Sequence, residues 1–350
     1  MSLSEAEAWA EKHSTTESQA QSATFTHATV EKENAGQDGV KLSQPRAYSL
    51  ALAPHIIHAQ SNLLAILVSS RLHNQLDFQA VGSWFILETL AEAAAKLSRV
   101  PSSREDVFRD TSFDLRAKRS VMKFLRFVQT YEEQHEVWDD DAEKPFPDFL
   151  QQKFGLPQSS HGALLALTLG SEPPQQITTA AALPKIARHF RSIGVFGPGF
   201  GAVLPKWGGL AEIAQVACRA GAVGGGVYVL KKGIRSTSTT EDGKVELVLS
   251  DDEKISASWL IGCSDDFPSG FSQAVTGGLT RSISIVTPAL AELFPPTSEG
   301  GVTPAGAVVA IPSSVSDEPP VHIIAHSHES GECPSSQSKS SRYSHQSLHF

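Results

Sequence analysis

Between residues 103 and 192 the sequence loses every strand-like pattern, and strand-like patterns return on both sides of that gap. Inside it, 114–134 (DLRAKRSVMKFLRFVQTYEEQ), 147–154, 161–169 and 180–192 place apolar residues at helical spacing, parted by proline and acidic loops. Before it, 47–52 (AYSLAL) and 78–87 (FQAVGSWFIL, interrupted at Gly82) read as strands around a helix at 62–76. After it, 227–231, 244–249, 255–261, 281–286, 305–311 and 321–327 read as strands, the second and third joined as a hairpin across Ser250-Asp251-Asp252-Glu253. The fold this predicts is an α/β (α+β) body interrupted by an all-helical domain. Its boundaries are a disordered segment at 1–44 with a short helix at 4–13, a discontinuous α/β domain at 45–102 and 193–337, a helical domain at 103–192, and a disordered tail at 338–350 (SKSSRYSHQSLHF preceded by Gln337).

A chain of 350 residues with 40% hydrophobic content has room for a large core and about two domains. Its net charge of −9 argues against a nucleic-acid platform and fits a partner with a basic face. Cys218, Cys263 and Cys333 are too scattered for a disulfide framework or a zinc site, which points to a reducing cytosolic compartment. The polar, acidic N-terminus does not read as a secretory signal, and the longest apolar runs, LLAILVSS and GALLALTLG, are short of a bilayer span. A soluble cytoplasmic protein without a transmembrane segment is expected.

Chemistry-bearing motifs are weak. FGPGFG at 196–201 matches neither GxGxxG nor a P-loop and is expected to be a tight loop entering the following helix. No dinucleotide fingerprint is intact. His322, His326 and His328 alternate with Val321, Ile323 and Ala325, as on an exposed strand face. The run Asp139, Asp140, Asp141 reads as solvated loop. No catalytic, cofactor-binding or metal-binding residue is therefore assigned, and no cofactor is expected.

Residues 207–230, WGGLAEIAQVACRAGAVGGGVYVL, are more informative. A helix of mostly small residues ends at Gly224, Gly225 and Gly226 and leads into the strand-like Val227-Tyr228-Val229-Leu230. Glu212 and Arg219, seven positions apart, return to nearly the same azimuth after two turns. They form either an incidental solvated face or a docking face. In 114–134, Leu115, Val121, Met122, Leu125 and Val128 point to one side while Arg116, Lys118, Arg119, Lys123 and Arg126 make much of the rest basic. That helix is either ordinary core or one of a set of apolar helices that part to admit a lipid chain.

Together these segments resemble the Rab escort protein and Rab GDP dissociation inhibitor family, from about Pro45 to Gln337. GLAEIAQVACRAGAVGGGVYVL resembles the family's second Rab-contacting region and implies Rab contacts at Glu212, Arg219 and Val229. KRSVMKFLRFVQTYEE at 118–133 resembles the start of the domain that receives the prenyl group. The escort branch carries a Phe and an Arg eleven residues later that engage the prenyltransferase, which implies Phe108 and Arg119; ECP at 332–334 is a weaker likeness.

The resemblance implies an incomplete FAD-binding-like, GDI-like mixed-sheet domain, because the family's opening strand and glycine-rich turn have no counterpart before Arg46; a chain truncated at both ends is expected. It also implies a non-catalytic accessory factor, component A of Rab geranylgeranyltransferase. Such a factor binds GDP-bound Rab GTPases, presents them to the transferase α/β heterodimer, and shields the geranylgeranyl lipid during transient membrane association. The alternatives are a Rab GDP dissociation inhibitor proper and a flavin-dependent oxidoreductase of the amine-oxidase kind, which share the ancestral fold.

Overall fold

The computed structural model describes residues 1–14, 25–31, 42–88, 95–101, 114–262, 278–287, 289–313 and 318–346. The chain divides into two units, Met1–Lys41 with Cys218–Thr276, and Leu42–Ala217 with Gly277–Phe350.

The larger unit is built on a mixed sheet of β1 (Ile57–His58), β2 (Phe78–Glu88), β3 (Lys96–Arg99), β4 (Ala202–Pro205), β8 (Gly278–Val286), β9 (Gly306–Ile311), β10 (Val321–His326) and β11 (Ser338–Gln346). The strand order is β1-β4-β2-β9-β10-β11-β8, with β3 paired to β2. β2 and β9 run parallel and the other pairs antiparallel. Side chains alternate across the central strands. Trp84, Ile86, Val308 and Ala310 face one core, while Phe85, Ala307 and Val309 face another, so both surfaces of β2 and β9 are covered. This explains why both strands read as nearly continuous apolar runs. The interruption at Gly82 is a bulge between Val81 and Trp84, and a Cβ at Gly82 would lie 2.5 Å from Pro304 Cγ.

The first face carries the helical block: α3 (Leu115–Val128), α4 (His135–Trp138), α5 (Phe146–Phe154), α6 (Gln158–Ala166) and α7 (Thr179–Ser192). Local chemistry sets the ends. Asp114 accepts from the Ala117 N–H at 2.6 Å and caps α3, Thr178 caps α7, and Gly155 closes α5 at φ +62°. Phe124, Phe146, Phe149 and Leu150 are fully buried among these helices, and the Phe127 and Phe154 ring centroids are 5.1 Å apart. On the other face, Leu63 and Leu64 of α2 (Asn62–Ser69) and Leu210 and Ile213 at the start of α8 (Leu210–Val223) cover Ile57, Phe200 and Val203.

The smaller unit holds α1 (Leu3–Lys12) and an antiparallel sheet of β5 (Ile234–Thr239), β6 (Val245–Leu249) and β7 (Lys254–Ala257), in that order. α1 matches the short helix expected near the N-terminus, with Glu5 and Ser2 forming a capping box. The 250–253 hairpin is present, tied by Lys232 to Asp251 at 2.7 Å and by Arg235 to Asp252.

Several expectations are corrected. Residues 47–52 form no strand: Tyr48 and Leu50 are buried, but the Ser49 N–H donates to the Glu332 carbonyl rather than to a ladder. The helix at 62–76 stops at Ser69, because Arg71 takes the left-handed conformation at φ +59°. β3, β4 and β5 have no counterpart among the expected strands, and the 196–201 loop enters β4 rather than a helix. The strand at 255–261 ends at Ala257, leaving Trp259 and Ile261 exposed. On α3 the inward stripe is Ala117, Val121, Phe124, Phe127 and Val128; Leu115 is 76% exposed, and Met122 and Leu125 pack at the margin.

The largest correction concerns 338–346, expected to lack structure. These residues form β11, paired along its length between β10 and β8.

Candidate functional site

The entry to α8 is fixed by Trp207. Its N–H donates to the Ser330 carbonyl at 2.7 Å, the Lys206 ammonium lies 5.0 Å above its ring, and the ring packs where a side chain on Gly331 would stand. Glu212 sits in the first turn of α8, half-buried, where the helix dipole favours a carboxylate. Arg219 lies on the same helix and is exposed. Residues up to Ala217 belong to the larger unit and those from Cys218 to the smaller.

The three glycines end α8 as expected. The Gly226 N–H donates to the Gly221 carbonyl at 2.8 Å and the Gly225 N–H to the Ala222 carbonyl at 3.0 Å, with Gly225 at φ +92°, which is a Schellman motif. Beyond that turn the expected strand is missing: Val227 to Leu230 form none, and Val229 is 53% exposed. Their composition suits a strand, but no described strand pairs with them, and a strand exists only through its ladder. Tyr228 folds back so that its hydroxyl approaches Gly221 and Cys218, and desolvation there, with the thiol beside it, raises its pKa.

Arg119 is exposed on α3 and makes no ion pair among the described residues. Phe108 lies outside the described residues.

The other candidates resolve as structure. His322 and His326 are buried rather than exposed; burial holds His322 down at about 4. His328 sits in the turn after β10. Asp141 is buried, not solvated, and pairs with Lys144 at 2.5 Å and Lys153 at 3.0 Å; the Lys144 hydrogen bond holds its carboxyl below the usual range. In the 196–201 loop Phe200 is buried and Gly199, at φ +81°, lies close against the Thr297 backbone, leaving the loop packed rather than open. Among the described residues no three His, Cys, Asp or Glu side chains are grouped to hold a metal, and no helix is long and apolar enough to cross a membrane.

Sequence reasoning missed a buried charge network beneath the Trp207 anchor. Glu332 contacts His326 Nδ1 at 2.5 Å and the Lys339 ammonium, and all three side chains are almost wholly buried. Burial alone would raise the Glu332 carboxyl, but His326 and Lys339 bring it below its ordinary value. Nearby, the Tyr48 hydroxyl donates to Gln337 Oε1 at 2.7 Å. The only signal in the sequence was the ECP likeness at Glu332.

Residues 11–299 match the family model described as GDP dissociation inhibitor. The chain belongs to the GDP dissociation inhibitor family. Consistent with membership, the structure resembles a crystal structure of a Rab GDI from Plasmodium falciparum with a TM-score of 0.65, at 18% identity, over 88% of this chain and 69% of that one. Curated sequence relatives include proteins named as component A of Rab geranylgeranyltransferase. A Saccharomyces cerevisiae protein named Rab proteins geranylgeranyltransferase component A is 35% identical over 209 residues, 58% of this chain and 34% of that protein. A Candida albicans protein of the same name is 32% identical over 183 residues, 52% of this chain and 28% of that protein. Mouse component A 2 is 28% identical over 63% of this chain and 34% of its own length. This family member thus spans about a third of the length of these curated relatives. The mixed sheet with its helical block is the α/β fold expected from sequence.

Proposed function

We propose that the chain serves as a Rab escort protein: it binds a GDP-loaded Rab GTPase, presents it to Rab geranylgeranyltransferase, and shields the attached lipid on its way to a membrane. The observation that carries this reading is the 35% identity to a protein named as component A of that transferase. On this reading the chain is an accessory factor and not itself a catalyst.

Three parts divide the work. Glu212 and Arg219 on α8, with Val229 beyond the Schellman turn, contact the Rab. A carboxylate and a guanidinium form charge-assisted bonds, and GTPase switch segments that order differently with GDP and GTP give such contacts nucleotide-state selectivity. Phe108 and Arg119 engage the transferase, an aromatic and an arginine being the side chains that concentrate interface energy. The region 103–192 takes the geranylgeranyl chain, since each prenyl CH₂ removed from water is worth roughly 0.8 kcal/mol and the helices there turn an apolar, phenylalanine-rich side inward.

The test uses this chain with purified GDP-loaded Rab and transferase heterodimer, and measures the two affinities separately. Phe108→Ala and Arg119→Ala are expected to weaken transferase recruitment at least about tenfold and leave Rab binding within about twofold. Glu212→Ala with Arg219→Ala should do the reverse. If each pair of substitutions lowered both affinities equally, or neither affinity, the assignment would fail.

A further inference from the structure

We propose that Trp207 is an anchor of the Rab-docking face, where its half-exposed indole packs an apolar side chain of the GTPase while Glu212 beside it takes a cation. The proposal rests on the escort reading above, which makes the entry to α8 part of that face.

Trp207 stands in an unfavourable backbone conformation. Its φ is +68°, a region that a bulky side chain rarely adopts. The next two residues are Gly208 and Gly209, and Gly209 turns at φ +63° without steric cost. A third glycine, at 207, would make the same turn unstrained. The strain is held from outside the turn: the Trp207 N–H donates to the Ser330 carbonyl at 2.7 Å, and the indole fills the space over Gly331, where a Cβ would lie 2.4 Å from Trp207 Cδ1. Strain that the surrounding structure over-determines in this way marks a functional position.

Packing of the core does not account for the residue. Trp84 is 6% exposed, whereas Trp207 is 46% exposed and joins none of the apolar clusters among the described residues. Glu212 completes the surface. Its carboxylate lies against Gly208, with Oε1 2.8 Å from where a Cβ on that glycine would stand. An indole and a carboxylate thus adjoin at the start of one helix, both within the larger unit.

This pairing selects the occupant. Tryptophan is enriched among the side chains that dominate interfaces, because it covers a large area with few rotamers to immobilise. The Lys206 ammonium already lies 5.0 Å over the ring, so what the indole offers a partner is apolar area, and the partner's cation goes to Glu212. A protein fits better than an anionic membrane, whose headgroups the carboxylate beside the ring repels.

The test is Trp207→Gly and, separately, Trp207→Asn in the full chain, both residues that tolerate the left-handed conformation and so remove the ring while keeping the turn. Affinity for GDP-loaded Rab is expected to fall at least about tenfold, mainly through faster dissociation, with transferase affinity within about twofold of wild type. In chain labelled with fluorotryptophan, the Trp207 resonance, assigned by its loss in the variants, should shift when unlabelled Rab is added. Full Rab affinity in both variants, with Glu212→Ala and Arg219→Ala still weakening it, would overturn the inference and leave the escort reading standing. Weakened binding that accompanies loss of cooperative unfolding, with the wild-type resonance unmoved by Rab, would overturn it in favour of a purely structural tryptophan. Loss of binding to phosphatidylserine vesicles with Rab affinity unchanged would overturn it in favour of a membrane. A wild-type chain that binds no Rab would overturn both.

Discussion

A lysine and a glutamate decide more about this chain than their sequence context announces. Lys339 sits in SKSSRYSHQ, a run with no apolar alternation, yet it is the most deeply buried charged side chain described. Its ammonium reaches Glu332, which also holds His326, and this network ties β10, β11 and the turn that anchors Trp207. Burying a charge is costly unless a partner compensates it, so removal of one partner exposes the whole desolvation penalty of the others. Lys339→Met is expected to destabilise the protein by about 3 kcal/mol in urea unfolding. Replacing Glu332 by Met as well should recover part of that loss, because the uncompensated carboxylate disappears. An unchanged midpoint in the single variant would mean that Lys339 is not a structural cation. Nothing in the sequence distinguishes Lys339 from the exposed lysines, since burial depends on residues far away in the chain.

At the level of elements, endings are more legible than pairings. Asp114, Thr178, Gly155 and the glycines after α8 act through bonds that close within a few residues, and each ends or begins its helix as its residue type suggests. The same holds for the hairpin at 250–253. The inward face of α3 is legible only in part. The helical pattern identifies Val121 and Val128 but favours Leu115 over Phe124 and Phe127, and it is the phenylalanines that meet α5. Phe124→Ala should therefore cost about 3–5 kcal/mol, whereas Leu115→Ala, at an exposed site, should change stability by less than about 0.5 kcal/mol. Equal effects in thermal unfolding would refute this account of the helical core. Residues 227–231 fail as a strand for the opposite reason. Their local preference is met, but pairing is supplied from elsewhere.

For the whole molecule, the buried histidines set a pH limit. Burial lowers His58 and His322 to about 4 and His189 to about 3, from an ordinary 6.5, and Trp84 stands 4.8 Å from the His189 ring where α7 meets the sheet. The folded state keeps these rings neutral while the unfolded chain protonates them near 6.5. Their contribution is complete above that pH and is lost as pH falls from 6.5 toward 4, at up to about 1.4 kcal/mol per unit for each histidine. Unfolding free energies measured from pH 7 to 4.5 should decline over that window, and His189→Phe should flatten the slope. A pH-independent stability there would contradict the neutral burial of these rings. By itself the sequence determined the helical block set between strand regions, the glycine-ended helix and the family likeness, because caps, turns and helical periods act over a few residues. Only the tertiary structure decided that 338–346 is an interior strand, that 227–231 is not a strand, that His322, His326 and Asp141 are buried, and that Glu332 and Lys339 form a pair. Sheet membership and burial belong to a residue's neighbours in space, and those neighbours are fixed only once distant segments have met.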